Sequence, residues 1–205
     1  MPTATLQEVA SLGGVSISNL IRRVNTGQIG HEPTLNAALS ATLTTRTDNT
    51  SGVLTMEDSN HGIENTDLFD LHWLNGSTPQ CAYGCNAANV SGNSVEFSGA
   101  AGDVLPTEDN TVNACAVSTV DTDFDGDLVE MIVIGSDVQA HITFRDSGGT
   151  VIAAETLAAN EGWAWASNQG VANPLTGNAV AEALISCGNA TNGGTMKIGI
   201  LYDSQ

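Results

Sequence analysis

The chain has few aromatic residues, very few bases and no long apolar run, and each shortage excludes something. Aromatics make up 4% of its 205 residues, so the core must be assembled from Val, Ile, Leu and Ala, which suits sandwiches of many short strands. Lys and Arg number 5 against 23 acids, a formal net charge of -18. A surface of that sign repels a phosphate backbone and an anionic bilayer, so neither nucleic acid nor a membrane is expected as a partner. No apolar stretch approaches the ~20 residues of a spanning helix. The start, MPTATLQEVASLGG, lacks the basic beginning and apolar middle of a secretory leader, so no signal peptide is expected. The sequons at Asn49, Asn75, Asn89 and Asn189 then follow from a chain rich in Asn, Ser and Thr. No G-x-S-x-G, P-loop, G-x-G-x-x-G or H-E-x-x-H occurs, and no enzyme is expected.

The charge is unevenly placed. Over residues 1–50, Arg22, Arg23 and Arg46 cancel Glu8, Glu32 and Asp48, while beyond them only Arg145 and Lys197 offset the remaining acids. A neutral segment joined to a strongly acidic body reads as an arm that docks, with Arg22, Arg23 and Arg46 at its interface. Like-charged bodies resist association, so contacts between copies are expected on acid-poor stretches such as Val9 to His31 and Leu71 to Val95.

What the chain does have is alternation. Between Gly52 and Pro106, apolar residues recur at every second position in short bursts separated by Asn, Gly, Ser and Asp clusters, the pattern of half-buried strands joined by tight turns. Phe69, Leu71 and Trp73 share one face, and Val95 pairs with Phe97. Beyond Pro106–Asn110, strands are expected at 114–117, 128–134, 138–144, 151–157, 163–166, 179–187 and 195–202. Met196, Ile198, Ile200 and Tyr202 share a face in the last. Turn chemistry lies at 146–149, 159–162 and 189–194. The expected fold class is all-β: an N-terminal arm (1–50), a small β-barrel or roll (51–110) and a jelly-roll-like β-sandwich (111–205).

The order G-x-LT, HGI, D, YG, VSGNSV, GAAGD-x-LP, over roughly Leu43 to Val112, resembles a β-rich module in structural proteins of tailed bacteriophages and prophages, mostly uncharacterised. The resemblance implies a virion protein, made in the host cytoplasm and carried on the particle. A capsid decoration or cement protein on the head exterior is the leading expectation. It would be a homo-oligomer, trimer favoured, bound to other virion proteins such as the major capsid protein. A tail or fibre protein binding a host-surface glycan or receptor is the alternative, and a glycan-active enzyme is third.

Four constellations could carry chemistry. Asp121, Asp123, Asp125 and Asp127 supply the D-x-D-x-D-G opening of a calcium loop, whose alternating carboxylates converge on a hard cation. Ile132 stands at the twelfth position, where a bidentate Glu belongs, so an Asp-Gly hairpin turn is preferred and no cofactor is expected. Trp163 and Trp165 fall on one strand face, either as a stacking platform for a sugar or, preferred, as core. Asp70 and His72 alternate onto one face and could share a proton or a metal, with a surface pair as the default. Cys81, Cys85, Cys115 and Cys187 match no common zinc spacing and are expected as reduced, buried small hydrophobes. In an extended strand, C-x3-C holds its Cα atoms about 13 Å apart, beyond disulfide reach.

Overall fold

The computed structural model describes residues 26–121, 128–166, 172–175 and 180–203. Every regular element among them is a β-strand, in chain order β1 (Thr26–His31), β2 (Thr34–Leu35), β3 (Leu39–Arg46), β4 (Gly52–Met56), β5 (Leu68–Asn75), β6 (Thr78–Ser91), β7 (Ser94–Ser98), β8 (Ala101–Gly102), β9 (Asn110–Ala116), β10 (Ser118–Asp121), β11 (Leu128–Ser136), β12 (Ala140–Arg145), β13 (Val151–Leu157), β14 (Glu161–Ala166), β15 (Glu182–Cys187) and β16 (Gly194–Asp203). No helix among them is long and apolar enough to cross a membrane. The strands fall into two compact units. One comprises the described residues up to Thr34, Thr119–Ile185 and the chain from Thr195, and the other Leu35–Ser118 with Ser186–Gly194.

The first unit is an eight-stranded jelly roll. Its two sheets run β1-β16-β11-β14 and β10-β15-β12-β13. Counted along the chain, the first strand pairs with the eighth, the second with the seventh, the third with the sixth and the fourth with the fifth, as in one long hairpin rolled into a sandwich. In the first sheet Ile132 lies opposite both Trp165 and Ile200, and Ile134 opposite both Trp163 and Ile198. Directly opposed residues share a face, and Ile132, Ile134, Trp165, Met196, Ile198 and Ile200 are all buried. The scarcity of aromatics is met by isoleucines paired across β11 and β16, with Trp165 of β14 beside them. In the second sheet the interior strand β12 is buried at every residue from Ala140 to Phe144, whereas edge strand β13 is mostly half-buried. The turn at 146–149 forms as expected, the Asp146 carboxylate accepting the N–H groups of Gly148 and Thr150.

The second unit is a closed six-stranded antiparallel barrel. Its order is β5-β9-β3-β4-β7-β6, and β6 returns to pair with β5, so no edge remains in the ring. Phe69, Leu71, Trp73, Val95 and Phe97 all point into the core, as the alternation requires. Phe69 meets Phe97 edge to face, centroids 5.9 Å apart, the geometry favoured by the ring quadrupoles. At Gly52 an added Cβ would lie 2.4 Å from the Thr45 carbonyl oxygen, so the β3–β4 hairpin bulges where only glycine fits.

Both units exist as expected, but their arrangement along the chain differs. The barrel lies between the first and second strands of the jelly roll in chain order, not ahead of it. The division at 50 and 110 is corrected accordingly. β3, in the expected arm, is an interior strand between β4 and β9, and β9, in the expected sandwich, closes on β3 and β5. The polar turn at 106–110 leads from one barrel strand to another, and turn chemistry is the same within a domain as between two.

Candidate functional site: the polar outer face of the barrel

Strand β5 is buried on both faces. Phe69, Leu71 and Trp73 face the core, while Asp70 and His72 face outward yet are only 3% and 0% exposed. Register supplies their neighbours. Cys81 of β6 and Asn113 of β9 lie opposite His72, and Cys115 of β9 lies opposite Asp70. A bulge in β6 makes this possible. Gly84, at φ +69, sits in an extra step between the pairs Phe69–Cys85 and Leu71–Ala82. Alternation is thereby broken within C-x3-C, with Cys85 in the core and Cys81 on the polar face. The glycine also supplies a donor, its N–H reaching Asp70 Oδ1 at 2.8 Å.

The segment that begins at Ser186 covers this face. Ser186 Oγ donates to Asp70 Oδ2 at 2.6 Å and lies 2.9 Å from His72 Nε2. The Cys187 N–H donates to Cys115 Sγ at 3.3 Å, and Asn113 Nδ2 donates to the Gly188 carbonyl at 2.7 Å. The serine hydroxyl has one proton and the carboxylate takes it, so His72 Nε2 must bring its own, which leaves Nδ1 as a bare lone pair. That atom has no hydrogen-bond partner, the one buried side-chain nitrogen or oxygen among the described residues in this state. Burial lowers the His72 pKa to about 3, so the ring is neutral at physiological pH. Burial, then the nearby Asp70, pushes the Cys81 thiol well up. Burial likewise pushes Cys115 up to about 11. A carboxylate oxygen of Asp70, a ring nitrogen of His72 and Cys81 Sγ all lie within 4.8 Å of one another.

Asp, Ser and His here do not form a hydrolytic triad. Nucleophilic serine chemistry needs the carboxylate on the imidazole and the imidazole free to take the serine proton. Here the carboxylate holds that proton, and all three groups are sealed from solvent. The expected surface pair of Asp70 and His72 is corrected to a buried one, because Ser186, more than a hundred residues away in sequence, covers it. All four cysteines are buried and free, as expected.

The other candidate residues lie elsewhere. Asp123, Asp125 and Asp127 fall outside the described residues, as do Arg22 and Arg23. Asp121 ends β10, and β10 and β11 belong to different sheets. The calcium-loop and hairpin readings of 121–127 rest on 122–127 and so lie outside the described residues. Arg46 braces its own turn, donating to the Asp48 carbonyl and to Asn49 Oδ1. It ends β3 of the barrel ring and so belongs to the barrel, not to a separate arm. Trp165 is buried in the sandwich core and Trp163 is half-buried. A depression of about 650 Å3 in the jelly roll is lined by Thr119, Asp146, Gly149 and Glu182 among others. Its acids are engaged, Asp146 in the turn and Glu182 with Arg145 at 3.7 Å. Comparison with protein-family models, curated proteins and solved structures gives no match.

Proposed function

We propose that this chain is a non-enzymatic structural protein of a tailed-phage virion, a decoration or cement protein of the head exterior. It assembles with copies of itself, trimer favoured, and with the major capsid protein. The jelly roll carries the reading. That architecture recurs in viral capsid proteins, lectins and cupins, and fold alone does not choose among them. A cupin-like activity needs ligating side chains inside the sandwich, but the inward face of the first sheet, among the described residues, is Ile132, Ile134, Ile198, Ile200 and Trp165. The buried His141 of the jelly roll is held by the hydroxyls of Thr156 and Thr143. A lectin needs an accessible stacking surface, and Trp165 is covered. The resemblance over Leu43 to Val112 and the acidic composition favour the remaining class.

Quantitative mass spectrometry of purified particles of the encoding phage tests this. Stoichiometry comparable to that of the capsid subunit is expected. A few copies per particle would move the protein to the tail or a fibre, and absence from particles would end the virion reading.

A further inference from the structure

We propose that Asp70, His72 and Cys81 bind a divalent transition metal of the zinc class, which pins the outer face of the barrel. Three observations converge. The donor set is one oxygen, one nitrogen and one sulfur within 4.8 Å of one another on two adjacent strands, which suits a borderline cation such as zinc and not calcium or magnesium. The unused lone pair is the second. His72 Nδ1 is fully buried without a partner, and an orphaned polar atom in a protein interior costs free energy unless something binds it. Its ring is held through Nε2 by Ser186, itself fixed by Asp70. An outer hydrogen bond of this kind commonly fixes the tautomer of a ligating histidine.

Charge is the third. Asp70 is 3% exposed, with the Ser186 hydroxyl and the Gly84 N–H donating to its two oxygens. A dication bound to the Asp70 carboxylate and the Cys81 thiolate, beside a neutral His72, makes a centre of zero net charge. Binding releases the Cys81 thiol proton to solvent, which makes affinity rise with pH. The C-x3-C spacing hid the site, because the Gly84 bulge turns Cys85 into the core and leaves Cys81 alone with its ligand partners.

The metal centre does not depend on where the protein acts, so its test uses the isolated full chain. Expression in zinc-supplemented medium and purification without chelator should yield about one zinc per chain by elemental analysis. Absorption at the zinc edge should show sulfur at about 2.3 Å together with nitrogen or oxygen at about 2.0–2.2 Å. Replacing zinc with cobalt should produce a thiolate-to-cobalt charge-transfer band. Cys81→Ala should abolish that band, and Cys85→Ala, in the same C-x3-C segment but facing the core, should keep it. A folded wild-type chain that takes up neither zinc nor cobalt overturns the proposal. So does a zinc shell without sulfur, or a band that survives Cys81→Ala. The edge measurement needs no variant and stands even if Cys81→Ala fails to fold.

Discussion

The two units solve the same problem by opposite means. The barrel removes its sheet edges by closing β6 onto β5 and fills its interior with the Phe69–Phe97 pair. The jelly roll keeps two open sheets and buries a face of stacked isoleucines. In the barrel the outer face of one strand is also buried, and there the polar groups gather; in the jelly roll His141 is satisfied by two threonines, and no buried side-chain nitrogen or oxygen among its described residues is left without a partner. Chemistry-bearing side chains concentrate where a strand is covered on both sides and no apolar residue fills the second face.

Four changes would break or sharpen this contrast. The largest effect is predicted for deletion of residues 1–50, which removes β1 from the jelly roll and β3 from the barrel ring. Neither unit should then give a cooperative melt; a soluble, cooperatively melting product would restore the reading of residues 1–50 as a docking arm. Phe69→Ala should cost about 3–5 kcal/mol, as emptied aromatic sites in cores do. Hydrogen exchange should show the loss of protection in barrel strands, and equal loss in β11 and β16 would mean the two units melt as one. Gly84→Ala meets no atom within 4 Å, so its cost, roughly 1–2 kcal/mol, comes from the left-handed backbone alone. An unchanged denaturation midpoint would show that the bulge relaxes.

The smallest effect is predicted for Glu155→Gln in the jelly roll. Partial burial, then Glu161, raises the Glu155 pKa. A carboxyl whose pKa is raised by folding binds its proton more tightly in the native state, so stability falls as pH rises through that range. Removing the charge should raise the melting temperature slightly at pH 7 and leave it unchanged below pH ~4, where an ordinary glutamate carboxyl is already mostly protonated. An equal gain at both pH values would assign the effect to packing.

Strand content was legible because alternation is local. The alternating runs Val53–Met56, Asp67–Trp73 and Ser94–Phe97 fall on β4, β5 and β7, and each of the seven C-terminal segments overlaps a strand. Closure and insertion were not legible. β3 reads as any Thr-rich strand, and its place between β4 and β9 depends on partners on either side of it in sequence. The site was half legible. The spacing of Asp70 and His72 puts them on one face, but their burial depends on Ser186, and Cys81 joins them only because Gly84 breaks the alternation. A glycine inside a strand-like C-x3-C was the one available signal.

The pairing of β1 with β16 sets the order in which the molecule can be made. Thr26 lies opposite Asp203, so the first described strand of the jelly roll has no neighbour until the last one has left the ribosome. The barrel ring needs nothing beyond Ala116 for its own hydrogen bonds, and its hairpins β3–β4 and β5–β6 join residues close in sequence. Long-range pairing is slow because loop closure must precede the contacts that reward it. During synthesis the barrel is therefore poised to fold while β1 waits unpaired. Repulsion between acidic chains, which reach a charge of -18 at full length, opposes their association while β1 is unpaired.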